Sequence, residues 1–159
     1  MRMKIIVLGL GNELLSDDGI GILAAQRLRA LLDGQADVVV SNLSGIALLE
    51  LLVGYDKAVL IDAVQTRNAR PGTIRELAPE DLGTVIAPSP HYAGVPEMLA
   101  LAGQLELEFP GEIRIYAVEV ADAWTVGGPV SPAVSASLDA LTERVHKQVF
   151  EWRKETQYA

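Results

Sequence analysis

The amino-acid sequence predicts a three-layer α/β domain built on a mostly parallel sheet. Short, continuous apolar runs, typical of strands buried on both faces, alternate with longer segments whose apolar residues recur at helical spacing. The chain has 159 residues, the length of one domain. A chain of this size buries roughly two thirds of the surface of its unfolded form, so it folds without a metal or disulfide. Such alternation favours a parallel sheet covered by helices.

Five segments have the pattern of strands. The first is an apolar run that ends at a glycine, and the third delivers Asp62 at its carboxyl end. The predicted strands are Ile5–Leu8, Val38–Val40, Ala58–Ile61, Thr73–Leu77 and Glu112–Val120.

Four segments have helical spacing. They are Gly19–Leu32, Ile46–Leu52, Val95–Leu107 and a long final helix that starts at Ser131. We expect Ser44 and Ser131 to act as N-caps, with Pro132 at the first position of the final helix. The domain is expected to span residues 1–159, with residues 153–159 as a polar C-terminal tail.

Composition excludes several classes of protein. The formal net charge of −8 disfavours nucleic-acid binding and attachment to anionic membranes. The chain has no cysteine, which excludes disulfide scaffolds, iron–sulfur ligation and cysteine nucleophiles. No apolar stretch approaches the ~20 residues of a membrane span, and the short apolar run near the N-terminus leads to a glycine turn rather than a cleavage site. We therefore expect a cytoplasmic monomer.

Ligands of such folds bind beyond the carboxyl ends of the strands, which directs attention to three loops. The first runs from Gly9 to Gly21. It fails the dinucleotide-binding pattern because Leu14 stands where a third glycine is needed. It carries instead two adjacent carboxylates, Asp17 and Asp18, which either cap the following helix or face the crevice.

The other two loops add a carboxylate and an imidazole. Asp62 follows a buried strand, where a charge is costly unless it is solvated, paired or bound to metal. His91 lies in a loop stiffened by Pro88 and Pro90, whereas His146 is predicted to be a solvated residue of the last helix. Two carboxylates and an imidazole fit zinc, nickel or another divalent ion. Alternatively, a carboxylate pair could share a proton and act without metal.

The motifs in these loops resemble those of the nickel–iron hydrogenase maturation proteases, over about residues 3–150 and in the same order. They are Gly9-x-Gly11-Asn12-x-Leu14-x-x-Asp17-Asp18-Gly19-x-Gly21, then Asp62-Ala63, then Ser89-Pro90-His91. The resemblance implies an α/β/α sandwich with a five-stranded mixed sheet that contains one antiparallel strand. It also implies an endopeptidase that removes a C-terminal peptide from the large-subunit precursor of a nickel–iron hydrogenase after nickel insertion.

The resemblance further assigns roles to single residues. Asp18, Asp62 and His91 would contact the metal and carry the catalysis, while Asp17 would hold the turn. Nickel would come with the precursor as the recognition element, and zinc or cadmium could occupy the same ligands. The sequence departs from the family in having aspartate at position 18, where glutamate is frequent, and in lacking a proline within Val118–Asp122.

Alternatives remain at the level of function and of mechanism. The same residues would serve a non-catalytic nickel-binding or docking factor in hydrogenase assembly, or a small-molecule hydrolase on the same scaffold. In a protease, either the metal or an aspartate acting as general base would activate water. The sequence has no G-x-S-x-G element, which argues against a covalent acyl-enzyme.

Overall fold

A five-stranded sheet forms the centre of the molecule. The computed structural model describes residues 2–83 and 95–157. The strands are β1 (Ile5–Leu10), β2 (Asp37–Ser41), β3 (Lys57–Val64), β4 (Ile74–Leu77) and β5 (Glu112–Glu119). Their order across the sheet is β2-β1-β3-β5-β4. All neighbours are parallel except β4, which pairs antiparallel with β5.

Helices cover both faces of this sheet. They are α1 (Ile20–Leu31), α2 (Leu49–Leu52), α3 (Val95–Gln104), α4 (Pro132–Ala136) and α5 (Leu138–Gln157). Short 3-10 turns occupy Ser16–Gly19, Gly45–Leu48 and Pro79–Gly83. In the described ranges, no helix is both long and apolar enough to cross a lipid bilayer.

Two hydrophobic cores, one on each face of the sheet, make the three layers. Leu28 of α1 and Trp152 of α5 belong to the first core, and Leu52 of α2 and Met98 of α3 belong to the second. Each fully buried side chain of this size contributes about 1.5–3 kcal/mol to folding. The predicted three-layer fold with a mostly parallel, mixed sheet is therefore confirmed.

Strand β1 has no polar side chain because both of its faces are covered. Ile5 and Val7 point into the first core, whereas Ile6 and Leu8 point into the second. Because successive side chains of a strand point to opposite faces, a strand covered on both sides needs apolar residues at every position.

The connections leave an open crevice between β1 and β3. From β1 the chain passes through α1 on the first-core face to β2, at one edge of the sheet. It then returns through α2 on the second-core face to β3, on the other side of β1. Ligands of open α/β sheets bind where the direction of winding reverses in this way. The carboxyl ends of β1 and β3 are therefore the expected position of a site.

Several boundaries differ from the prediction. β3 continues to Val64, so Asp62 lies within the last residues of the strand instead of after it. Ser44 and Ser131 occupy N-cap positions and Pro132 is the first residue of α4, as predicted, but neither serine side chain makes the expected capping hydrogen bond. The final helical segment is divided into α4 and α5 around Ser137.

Residues 153–157, which belong to the expected polar tail, continue α5 to its end at Gln157. Arg153 explains this continuation. Its guanidinium donates to the carbonyl oxygens of Met3, at 2.6 Å, and Gln35, at 2.9 Å. These bonds fix the end of α5 against the segments that precede β1 and β2.

Candidate functional site

The start of α1 lies directly on the carboxyl ends of β1 and β3. A Cβ atom placed on Gly21 would lie 2.6 Å from the carbonyl oxygen of Ile61, and closer still to that of Leu10. A Cβ on Gly9 would meet the carbonyl oxygen of Gly21 and, at 2.6 Å, the Cβ of Ala25. The glycines of the first motif therefore let a helix approach two strand ends, rather than cradle a phosphate.

The loop between β1 and α1 folds back on itself at Gly11. This residue has a φ of +150°, and a Cβ there would collide with the carbonyl oxygen of Asp18. Asn12 makes a tight turn, since its Oδ1 accepts the backbone N–H of Leu14 at 3.0 Å. The loop thus returns to the end of β1 and places Asp18 beside the residues that follow the strand.

Asp18 is a nearly buried carboxylate with a backbone donor. The residue is only 8% exposed, and its Oδ2 accepts a hydrogen bond from the N–H of Asn12 at 2.8 Å. Burial of a carboxylate is costly unless such donors compensate for lost hydration. The bond also holds the Asp18 side chain against the Gly11–Asn12 turn.

Asp62 interrupts an apolar row of β3. Ala58, Leu60 and Val64 alternate into the second core, and the alternation of the strand places Asp62 between Leu60 and Val64. The residue is fully buried, and its Oδ1 accepts the N–H of Ala63 at 2.8 Å. An acidic side chain at this depth is costly to folding, which points to a role in a site.

Asp17 holds three segments together. Its Oδ2 accepts the N–H groups of Ala121, at 3.0 Å, and Asp122, at 2.9 Å, and the hydroxyl of Ser131 at 2.8 Å. Oδ1 accepts the N–H of Ser131. The Asp17 N–H in turn donates to the carbonyl oxygen of Asp122 at 2.8 Å. These bonds confirm the expected turn-holding role, and they use the hydroxyl of Ser131 that was predicted to cap a helix.

The turn that carries both aspartates is strained at its first residue. Ser16 has a φ of 38°, in the left-handed region that side chains other than glycine rarely adopt. Its hydroxyl donates to the carbonyl oxygen of Pro129 at 3.0 Å. Backbone strain of this kind persists only where the surroundings enforce it, and it is frequent at functional sites.

Glu119 is a further buried carboxylate at the same edge, which the sequence analysis did not identify. It ends β5, is 1% exposed, and accepts the N–H of Thr66 at 2.8 Å and the hydroxyl of Thr66. It therefore fixes the loop that follows Asp62. The signal that identified Asp62, an acidic residue at the carboxyl end of an apolar strand, also applies to Glu119.

The chain is similar in sequence to known proteins. A sequence model of the hydrogenase maturation protease family matches residues 24–148. The chain belongs to the hydrogenase maturation protease family. The hydrogenase 2 maturation protease of Escherichia coli (strain K12) is 29% identical over 152 residues, covering 89% of this chain and 92% of the relative.

Solved structures of similar proteins have the same fold. The hydrogenase maturating endopeptidase HybD from E. coli aligns with a TM-score of 0.75 at 26% identity, over 94% of this chain and 93% of its own. The [NiFe] hydrogenase maturation protease HybD from Thermococcus kodakarensis aligns with a TM-score of 0.69 at 25% identity, over 92% of this chain and 99% of its own.

Of the residues expected to form the site of this hydrogenase maturation protease, the structure describes two. Asp18 and Asp62 both lie at the β1–β3 crevice, held by the turn before α1 and by the end of β3. The prediction for His91 lies outside the described residues. Within residues 2–83 and 95–157, no three His, Cys, Asp or Glu side chains could hold a metal together, so the predicted triad depends on His91. His146 is exposed on α5, as predicted.

The amino ends of the strands, at the other end of the sheet from the crevice, have no comparable group of buried carboxylates among their described residues. A cleft of about 580 Å³ lies there, beside the amino ends of β1 and β2. Among its lining residues are Arg2, whose guanidinium donates to the carbonyl oxygen of Gly34, and Arg153. These arginines join backbone segments through hydrogen bonds to carbonyl oxygens. The aspartates that line the cleft, Asp33 and Asp37, are exposed, unlike those of the β1–β3 crevice.

Proposed function

We propose that this chain is an endopeptidase that removes a C-terminal peptide from the large-subunit precursor of a nickel–iron hydrogenase. Membership of the maturation protease family supports the reaction class. The observation that carries the proposal is the pair of buried aspartates, Asp18 and Asp62, at the crevice where such folds bind ligands.

Nickel enters this proposal as part of the substrate. Asp18, Asp62 and His91 would meet the nickel of a loaded precursor, and their oxygen and nitrogen donors suit a divalent first-row ion. Val95, the first residue of α3, packs in the same core as Leu60 and Val64 of β3. Val95 comes four positions after His91 in the sequence, so the described chain resumes close in sequence to the predicted histidine.

The two described carboxylates are held in fixed positions before any substrate arrives. The N–H groups of Asn12 and Ala63 each fix one oxygen of Asp18 and Asp62, respectively. A precursor whose nickel is bound by these side chains would hold its scissile bond in one orientation. Such fixed proximity and orientation can supply much of an enzyme's rate enhancement. A precursor without nickel would lack this attachment.

Two routes to the attacking water fit these residues. In one, the metal of the precursor polarises the water or the scissile carbonyl. In the other, an aspartate takes the proton of the water as general base. Replacing nickel in the precursor by zinc or cadmium distinguishes the two routes. Only in the first route does the rate of the cleavage step depend on the Lewis acidity of the metal.

Substitution of the buried aspartate tests the proposal. We expect Asp62→Asn to reduce processing of nickel-loaded precursor by at least ~100-fold, since the amide can neither bind metal as an anion nor accept a proton. Asp139→Asn, at an exposed carboxylate paired with Arg27 on the protein surface, is the matched control and should process normally. Circular dichroism and thermal melting establish that both variants are folded.

Normal processing by the Asp62→Asn variant would refute this assignment. A native gel of the same samples distinguishes the alternative function. If wild-type protein shifts the precursor but never shortens it, the chain is a docking factor that binds without cutting.

A further inference from the structure

The most exposed large apolar side chains of the described residues belong to two segments that are joined by backbone contacts. Val126 is 76% exposed, Trp124 is 70% exposed and Leu14 is 66% exposed, more than any other large apolar residue in the described ranges. We call these three residues the Trp124 surface. Single exposed apolar residues are ordinary, but a group of them on a small domain marks a binding surface.

Backbone contacts bring the two parts of this surface together. Leu15 and Val126 form an antiparallel bridge, and the N–H of Gly127 donates to the carbonyl oxygen of Leu14 at 2.8 Å. The bridge immediately precedes the Ser16–Gly19 turn, which contains Asp17 and Asp18. The Trp124 surface is therefore continuous with the loop that carries one of the two site carboxylates.

The indole of Trp124 is held in place despite its exposure. Its Nε1–H donates to Oε1 of Gln65 at 3.0 Å, and Nε2 of Gln65 donates to the carbonyl oxygen of Ala121 at 2.9 Å. Gln65 comes three residues after Asp62, so the indole is attached to the second site segment as well. An aromatic ring that is already oriented loses little conformational entropy when a partner covers it.

The backbone around Trp124 is equally fixed. The N–H groups of Trp124 and Thr125 donate to Oδ1 of Asp122, each at 2.9 Å, and the hydroxyl of Thr125 donates to Oδ2. The Asp122 N–H is bound by the carboxylate of Asp17. Rigid, exposed tryptophans of this kind are the residues that most frequently dominate protein–protein binding energies.

We propose that the Trp124 surface is the docking site for the polypeptide substrate, and that it takes an apolar segment of the hydrogenase large-subunit precursor near the bond to be cleaved. This inference rests on the proposed function. The surface adjoins the segments of both Asp18 and Asp62, so a polypeptide bound on it lies close to the turn of Asp18 and to the end of β3. A second copy of this chain seated there would instead cover the entrance to the crevice.

Steady-state processing of nickel-loaded precursor tests the docking site. We expect Trp124→Ala to raise KM roughly tenfold or more while kcat stays within about twofold, because the variant loses binding and not chemistry. Trp124→Phe, which keeps an aromatic ring but loses the bond to Gln65, should give a smaller rise in KM. Phe150→Ala is the matched control, since Phe150 is 55% exposed on α5 and should leave KM unchanged.

Fluorine NMR of protein labelled with 5-fluorotryptophan gives a readout that does not depend on cleavage. The chain has two tryptophans, Trp124 and Trp152, and the second is only 1% exposed. We expect unlabelled precursor to shift the Trp124 resonance and leave the position of the Trp152 resonance unchanged. An excess of nickel-loaded precursor keeps the complex populated during the measurement.

The outcomes separate the docking site from the proposed function. If the wild-type protein cleaves the precursor, but Trp124→Ala has a normal KM and the Trp124 resonance does not move, the docking site is wrong and the function stands. If the resonance moves without cleavage by the wild-type protein, docking is supported and the protease function is wrong. If neither cleavage nor a shift occurs, both proposals are overturned.

Discussion

Adjacent aspartates have different roles in this protein because their neighbours differ. Asp17 receives donors from the chain after β5 and from Ser131, so its carboxylate is used in holding segments together. The bond from Asn12 to Asp18 keeps the second carboxylate at the loop that lines the crevice. The sequence pattern identified both residues, but only the contacts of each one separate a positioning role from a role in the site.

We expect Asp17→Ala to destabilise the protein by roughly 2–4 kcal/mol. The substitution leaves the N–H groups of Ala121, Asp122 and Ser131 without their fully buried acceptor, and donors that are partly shielded from water are costly when they lose their partner. Urea unfolding followed by circular dichroism measures the effect. Asp33→Ala, at an exposed position, should change stability by no more than about 0.5 kcal/mol. Equal stabilities of the two variants would contradict the role given to Asp17.

At the scale of elements, the site depends on how closely α1 approaches β1 and β3. Gly21 permits this approach, because its Cα packs against the carbonyl oxygens of Leu10 and Ile61. The crevice would be wider with any side chain at this position. Asp62, the residue after Ile61, would then move relative to the turn that carries Asp18.

Gly21→Ala is therefore expected to destabilise the fold by roughly 2 kcal/mol or more and to reduce processing. The new Cβ would lie 2.6 Å from the carbonyl oxygen of Ile61, and neither backbone can easily move away. Gly103→Ala is the control on a helix. A Cβ at Gly103 in α3 has no neighbour within 4 Å, so the change should be neutral or stabilise by up to about 1 kcal/mol. Thermal melting of the two variants checks both expectations, and a Gly21→Ala variant as stable as wild type would contradict this packing.

The attachment of α5 to β5 predicts a dependence on pH. Burial raises the pKa of Glu112, but the Trp152 indole N–H bond, at 2.7 Å, and the charges of Lys57 and Arg114 outweigh it and hold the pKa below its ordinary value. The unfolded chain therefore binds the proton more readily. The resulting stabilisation is present above pH ~4.5 and is lost as the pH falls through the lowered pKa.

Glu112→Gln should accordingly flatten the acid side of the stability curve. The amide keeps an acceptor for the Trp152 indole N–H but has no charge to titrate. Free energies of unfolding measured from pH 3 to pH 7 provide the comparison. If the variant loses stability with acid as steeply as wild type, the carboxylate of Glu112 makes no contribution to the pH dependence.

At the scale of the whole molecule, the sequence predicts the layer architecture better than it predicts where helices and strands begin and end. Apolar runs and helical spacing identified all five strands, because burial on both faces leaves a strong pattern. The family resemblance implied one antiparallel strand without identifying it, and the structure shows that it is β4. A short strand at the edge of a sheet has the same apolar pattern in either direction.

Capping and site details were less predictable for a physical reason. Ser131 had the pattern of a helix N-cap, but the carboxylate of Asp17, distant in sequence, binds its hydroxyl instead. The role of Glu119 depends likewise on Thr66, which is brought close by the pairing of β3 with β5. Contacts between residues far apart in sequence decide these details, and a local pattern does not contain them.

The most direct test of the central claim is the mass of the hydrogenase large-subunit precursor before and after incubation with the purified protein. Nickel-loaded and nickel-free precursor are compared by intact-mass spectrometry, with the Asp62→Asn variant as a parallel sample. The account predicts loss of one C-terminal peptide, only from the nickel-loaded precursor and only with wild-type protein. Equal cleavage of both precursors would contradict recognition through nickel, and an unchanged mass in every sample would contradict the protease function.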